Sequence, residues 1–190
     1  MTKKFITILI VLIILLAIIF VLFKVIKIQN KFLKILYPTK YSEYVEKYSE
    51  ESNVDKYLVY AIIKSESNFD PNVTSGVDAR GLMQLMEETA IDMSNSIENK
   101  SVSSYDLYDP ETNIKLGVSY LAYLLNLYEG NTLLALTAYN AGLGNVNEWI
   151  SSGIIKSDGS DIENIPYKET SNYVRKILRD YQIYLDLYEN

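Results

Sequence analysis

The strongest constraint on this chain is an apolar run near its start. From Phe5 to Phe23 every residue is apolar except Thr7, and no Asp or Glu occurs before Glu43. A helix of this length spans about 28 Å, close to the hydrocarbon thickness of a bilayer. A cleaved signal peptide has a shorter apolar core, about 7–15 residues, followed by a small-residue cleavage site. Here the run is longer, and Lys24-Val25-Ile26-Lys27 follows it with no Ala-x-Ala pattern. A buried soluble helix would need polar interruptions that this run lacks. Residues 1–36 are therefore read as one uncleaved transmembrane anchor with its juxtamembrane segment, and residues 37–190 as a separate domain.

Charge separates the two parts as well. Of 18 Lys and Arg, six Lys fall within residues 1–36, so residues 37–190 carry 12 basic against 24 acidic side chains. A domain this acidic lacks the basic face that nucleic acid requires, and nucleic acid is excluded as a partner. The chain has no His and no Cys. That removes Ser-His-Asp triads, Cys-His dyads, His-ligated zinc, disulfides and iron–sulfur clusters. No metal site and no cofactor is expected. Catalysis has to rest on carboxylates, Tyr, Lys or hydroxyls.

Orientation is contested within the sequence. Lys3 and Lys4 precede the apolar run, whereas Lys24, Lys27, Lys31 and Lys34 follow it. Taken alone, the positive-inside rule places the domain in the cytoplasm, although long domains translocate despite flanking charge.

Beyond Pro38-Thr39-Lys40 the pattern is helical. Tyr41, Tyr44, Val45 and Tyr48 recur at i, i+3, i+4 and i+7. A second helix is expected from Asn53-Val54-Asp55 to about Ser67, and another from Leu82 to Met93. Asp70-Pro71-Asn72 and Ser75-Gly76 mark loops, and residues 94–108 look irregular. Asp109-Pro110 supplies a capping acid and a first-turn proline. Gly130-Asn131 precedes Leu133–Asn140, apolar almost all round and so expected at the centre. Gly142 and Gly144 should break the chain, residues 151–165 should be loop, and Pro166 should open the last helix. No alternating β run of any length occurs, and the domain is expected to be all-α. Most of the 17 Tyr, all from Tyr37 onward, are assigned to its core.

Glu66 stands out within this pattern. At about 100° per residue from Leu58, it falls at about 80°, between Ile62 at about 40° and Val59 at about 100°. Lys64 and Asn68 fall on the opposite side. A carboxylate aimed into an apolar arc near a helix C-terminus is held towards its protonated form by burial and by the helix dipole. It is either a proton-holding catalytic acid or a structural Glu paired with Arg80 or capped by backbone. Gly81-Leu82-Met83-Gln84 after Ser75-Gly76 would let backbone approach a ligand. Ala138-Tyr139-Asn140-Ala141-Gly142 sets a Tyr and an Asn at a helix end, which is also how an ordinary helix stops.

Together, and in order, Glu66-Ser67, Ser75, Gly81-Leu82-Met83-Gln84, Thr89, Asn113-Ile114 with Gly117 and Tyr120-Leu121, Ala138 to Gly142, and Glu169-Thr170 with Asn172-Tyr173-Val174 resemble one family. It is the catalytic domain of soluble-lytic-transglycosylase-type enzymes, related in fold to goose-type lysozyme. The resemblance spans about residues 40–188, and the anchored layout is similar to small membrane-bound members. It implies a lysozyme-like helical domain with a groove for peptidoglycan glycan strands, and Glu66 as the sole acid/base. Ser75, Met83, Gln84, Met86, Thr89, Tyr139, Asn140 and Glu169 match positions that line the groove or support the Glu. Tyr139 is expected to bond Glu66 or the sugar, and Gln84 to orient the N-acetyl group.

The implied reaction cleaves the β-1,4 bond between N-acetylmuramic acid and N-acetylglucosamine and leaves a 1,6-anhydro end. Its implied location is a single-pass protein of the cell membrane, with the domain facing the wall. Three positions depart from the family pattern: Asp78 where Gly is usual, Glu87 where Pro is common, and Ser171 where Arg is frequent. Three other readings remain at this stage. They are a hydrolytic muramidase on the same fold, with Asp70 or Asp78 helping to position water, a tethered peptidoglycan-binding protein with a vestigial groove, and a cytoplasmic interaction domain. Protein partners are not legible in the sequence.

Overall fold

The structure is a computed structural model that describes residues 3–97 and 101–189, with side chains from residue 12 onward except at 162. Eight α-helices are described. They are α1 (Lys3–Leu36), α2 (Ser42–Ser52), α3 (Lys56–Ser67), α4 (Glu87–Ile97), α5 (Pro110–Leu127), α6 (Thr132–Ala141), α7 (Leu143–Ser151) and α8 (Lys168–Tyr188). Single 3₁₀ turns lie at Asp106–Tyr108 and Ile162–Asn164. Among the described residues the only β pairing is two isolated bridges, Thr74 with Arg80 and Arg80 with Leu85.

The chain divides after Pro38 into two units, the first helix with its tail and residues 39–189. Within the first unit, Leu12–Leu36 is long and apolar enough to cross a membrane. The helix does not stop at the lysines that follow the apolar run, but continues unbroken through Lys24, Lys27, Lys31 and Lys34 to Leu36.

In the second unit, α3 packs along α8, α2 lies against α5 and α3, and α6 touches α5, α7 and α8. Helix starts follow their caps. The Asp55 carboxylate accepts from the Tyr57 N–H, Asp109 from Thr112, and Asn131 from Leu134. Leu134, Ala135, Leu136, Thr137 and Ala138 are all buried, as expected of a central helix.

Several boundaries differ from expectation. Residues 82–86 are not helical. The Arg80 N–H donates to the Leu85 carbonyl at 2.9 Å and the Leu85 N–H returns to the Arg80 carbonyl at 3.0 Å. That closes a tight loop, with positive φ at Gly81 (77°) and Gln84 (48°), and helix α4 starts only at Glu87. Helix α4 in turn runs to Ile97, into the segment expected to be irregular; residues 98–100 lie outside the described residues. Gly142 breaks the chain with φ 85°, but Gly144 sits inside α7. The last helix opens at Lys168, two residues after Pro166.

The tyrosines need the largest correction. Only Tyr48, Tyr60 and Tyr184 are buried; Tyr105, Tyr123 and Tyr167 are exposed, and the rest are half-buried. The hydroxyl is the physical reason, because a Tyr with its tip at the surface keeps a hydrogen-bond partner while its ring packs. Tyr181 shows it, donating to Asp55 Oδ2 at 2.6 Å.

Candidate active site

Glu66 lies in the last turn of α3, half-buried, flanked by fully buried Ile62 and Ile63. Its partner is the Tyr173 hydroxyl of α8, which donates to Glu66 Oε1 at 2.6 Å. Arg80, the alternative partner considered above, is engaged elsewhere. Its guanidinium holds both Asp78 carboxylate oxygens at 2.8 Å and lies 3.8 Å from Glu87. Burial pushes the Glu66 carboxyl up from an ordinary 4.5 to about 7, against the smaller opposing effects of the Tyr173 bond and the Lys176 charge. Tyr139 and Tyr173 close the surroundings. Both hydroxyls are held well above their ordinary range, first by burial and next by the Glu66 charge.

The Glu-Ser pair divides its work. Ser67 is buried, and its hydroxyl reaches the Ile63 carbonyl at 3.1 Å and the Leu82 carbonyl at 2.8 Å. It therefore ties the end of α3, and Glu66 with it, to the 80–86 loop. Two left-handed residues follow, Asn68 and Phe69. Phe69 thus reaches the core from beyond the helix.

Asn113 of α5 holds the loop from the other side. Fully buried, its amide donates to the Arg80 carbonyl (2.9 Å) and the Leu107 carbonyl (2.8 Å), and its oxygen accepts from the Met83 N–H (2.7 Å). The Tyr139 hydroxyl donates to the Met83 carbonyl at 2.8 Å. Gly81 is required here: a Cβ would stand 2.1 Å from the Leu107 carbonyl oxygen and 2.3 Å from the Asn113 amide. Gly117 makes room for Met83 in the same way, since its Cβ would meet the Met83 sulfur at 2.5 Å.

A groove of about 260 Å³ opens beside this loop. Gln84, Leu85, Met86, Thr89, Tyr120, Tyr139, Asn140, Ala141 and Gly142 line it. Five of the eight sequence-predicted binding positions therefore converge on one surface: Gln84, Met86, Thr89, Tyr139 and Asn140. Met83 does not line it. Its side chain is fully buried under Gly117, and it acts through its backbone. Ser75 is outside the lining as well; its hydroxyl accepts from the Val77 and Ala79 N–H groups and shapes the preceding loop. Glu169 stands exposed in the first turn of α8, and its neighbour Thr170 makes the contact, donating to Asn140 Oδ1 at 2.7 Å. Tyr139 bonds Met83 in place of Glu66. The Gln84 amide donates to the Val73 and Gly81 carbonyls at 3.1 and 2.9 Å, which aims the side chain across the loop. Among the described residues no group of three or more acidic side chains is placed to hold a metal ion.

The three departures have local accounts. Asp78 adopts φ 68°, the left-handed conformation that suits glycine, and is kept there by Arg80. Glu87 occupies the first position of α4, where a proline is also accommodated, and accepts from the Ser104 N–H at 3.1 Å. The Ser171 hydroxyl turns back to the Lys168 carbonyl at 3.1 Å.

Tyr173 is the residue that sequence reasoning named without assigning a role. A signal was present: Tyr173 precedes Val174 and Ile177 on the stripe of α8 that packs on α3, so its polar tip had to find a partner there.

Comparison with known proteins places the chain in a family. Residues 43–160, more than half of the chain, match the family model described as the Transglycosylase SLT domain. The chain is 35% identical over 147 residues, 75% of its own length, to the soluble lytic murein transglycosylase of Escherichia coli K12. It is 39% identical over 130 residues, 63% of its length, to the membrane-bound lytic murein transglycosylase C of Serratia proteamaculans. It spans only 22% and 36% of those two relatives. An inactive mutant of the lytic transglycosylase Slt from Pseudomonas aeruginosa superimposes with a TM-score of 0.73 at 34% identity, over 81% of this chain and 25% of that one. The 70 kDa soluble lytic transglycosylase in complex with bulgecin A gives 0.70 at 36% identity, over 79% and 25%. The fold, the ordered motifs and these matches lead to one conclusion: the chain belongs to the SLT transglycosylase domain family.

Proposed function

We propose that this chain is a peptidoglycan lytic transglycosylase in which Glu66 is the single general acid and base. The observation that carries the reading is the state of Glu66: a half-buried carboxyl raised to about 7, bonded to Tyr173 and acting on Tyr139, which lines a groove that itself offers no carboxylate to serve as a second. Ordinary retaining and inverting glycosidases need that second group as nucleophile or base. A substrate that supplies its own nucleophile does not.

In the first step the protonated Glu66 gives its proton to the oxygen of the N-acetylmuramic acid–N-acetylglucosamine bond. The C1–O bond breaks and an oxocarbenium-like centre forms. The Glu66 carboxylate then takes the proton from the muramoyl C6 hydroxyl, whose oxygen closes on C1. The product is a 1,6-anhydro end, and Glu66 is again protonated. The Tyr173 hydroxyl stabilises the carboxylate between the two transfers without touching substrate. General acid–base assistance of this kind contributes about 10²–10⁴-fold in rate.

The same reading places the domain on the wall side of the cell membrane, held by helix α1. The membrane-bound relative and the apolar Leu12–Leu36 segment support membrane attachment. The excess of lysines after the apolar run opposes the wall-side orientation only weakly, because long domains translocate largely regardless of flanking charge.

The test is digestion of purified murein by the full-length protein in detergent, beside Glu66→Gln, with fragments identified by mass spectrometry. Anhydro-muramoyl ends from the wild type and none from the variant are expected. Reducing ends would replace the intramolecular step with hydrolysis, and wall binding without release would leave a non-catalytic anchor protein.

A further inference from the structure

The groove does not end at its lining. Tyr120 forms one wall, with its ring centroid 5.3 Å from that of Tyr139. Along α5, Tyr123 and Leu127 follow Tyr120 at i+3 and i+7, so the three share one face of the helix. Tyr123 and Leu127 are each 46% exposed. At the end of α5 the Tyr128 hydroxyl donates to Asn147 Oδ1 of α7 at 3.4 Å, and α7 begins directly after Gly142 of the groove lining. The helix face that gives the groove its Tyr120 wall therefore also presents an exposed aromatic and an exposed aliphatic side chain.

We propose that Tyr123, Leu127 and Tyr128, with Asn147, form a shelf that carries the distal sugars of a β-1,4-linked N-acetylhexosamine strand entering the groove. The inference rests on the glycan-cleaving reading above. A groove of about 260 Å³ is smaller than most small-molecule sites and holds only a short piece of a polymer. A strand leaving it past Tyr120 runs over the exposed aromatic face. The Tyr123 ring offers a flat apolar surface to the axial C–H faces of pyranoses, and the Tyr128 hydroxyl and Asn147 amide offer hydrogen bonds to their hydroxyl and N-acetyl groups. Neither Tyr123 nor Tyr128 belongs to the motifs that carry the family resemblance, so the shelf would set strand-length preference in this chain and leave its chemistry alone.

The experiment is a chain-length series. Full-length protein carrying Glu66→Gln, in detergent, is titrated with N-acetylglucosamine oligomers of increasing length, with and without Tyr123→Ala or Tyr128→Phe. Tyr123 is on the surface, so its truncation leaves the core intact, and the melting temperature checks this. Affinity should rise with length in the parent. Tyr123→Ala should leave short oligomers unchanged and weaken long ones about five-fold. Equal loss at all lengths, or no loss at any, would overturn the shelf while leaving the groove in place. Absence of binding at every length in the parent would overturn the glycan reading itself, and the shelf with it.

Discussion

Tyr173 donates a 2.6 Å hydrogen bond to Glu66 across 107 positions of sequence, and that bond joins α3 to α8 at the point where the chemistry is proposed. It opposes the larger effect of burial, holding the Glu66 carboxyl at about 7 instead of letting it climb further. The two together keep a proton available near neutral pH and accommodate the carboxylate once the proton has left.

Activity should therefore fall on the alkaline side of about pH 7, ten-fold per unit, as the acid form is lost. Tyr173→Phe removes a bond that lowers the Glu66 value, so the limb should move to higher pH. The turnover number should drop about ten-fold with little change in KM. Measured pH–rate profiles of the two proteins decide this. A limb that stays in place would mean that Tyr173 does not control the proton.

Stability should carry the same signature with a defined sign. The folded value of Glu66 is raised above its ordinary 4.5, so its contribution is fully present below that pH and is lost as pH rises to about 7. Glu66→Gln resembles the protonated form. It should match the wild type near pH 4 and exceed it at pH 8 by at most about 3 kcal/mol, as read by urea denaturation. A variant less stable at pH 8 would refute the buried-acid account.

Gly81→Ala should be among the most damaging single-methyl changes in the domain. It combines φ 77° with a Cβ placed 2.1 Å from the Leu107 carbonyl oxygen, a backbone atom that cannot swing away. The expected cost is about 3 kcal/mol. Gly76→Ala, with nothing within 4 Å of its added methyl, serves as the control and should change stability by less than about 1 kcal/mol.

Asn113→Ala should cost about 3 kcal/mol as well, since it strands the Met83 N–H and the Leu107 carbonyl away from water and leaves the Arg80 carbonyl with its Leu85 bond alone. The loop bearing Gln84 loses its support at the same time, so KM should rise even at temperatures where the variant is fully folded. An unchanged KM in folded protein would separate the loop from substrate binding.

Asp78→Gly tests the departure that adds a charge where the family usually has glycine. Its pair with Arg80 is exposed on the Asp78 side, at 67%, so stability should change by less than about 1 kcal/mol. Thermal melts at low and high salt should show the small difference shrinking as salt rises.

Much of this was legible in one dimension. The spacing of Leu58, Val59, Ile62 and Ile63 aims Glu66 inward, and Asp55, Asp109 and Asn131 start their helices as their side chains dictate. Helix periodicity and capping are local, so they survive without knowledge of the partner surface. The 82–86 segment was misread as helix because its composition is apolar and its turn is closed by backbone bonds between Arg80 and Leu85, which leave no periodic trace. The tyrosines were misread because hydrophobic periodicity counts the ring and overlooks the hydroxyl.

The sequence by itself determined the apolar helix at the start of the chain, the all-α domain after it, and a carboxylate turned into an apolar face. Which hydroxyl meets that carboxylate was decided only in three dimensions. Tyr139 and Tyr173 both come close to Glu66, yet Tyr139 spends its proton on the Met83 carbonyl and Tyr173 takes the acid. That choice depends on how α8 and α6 approach α3 and on where Asn113 holds the intervening loop, and packing across long separations leaves no mark in the local spacing of residues.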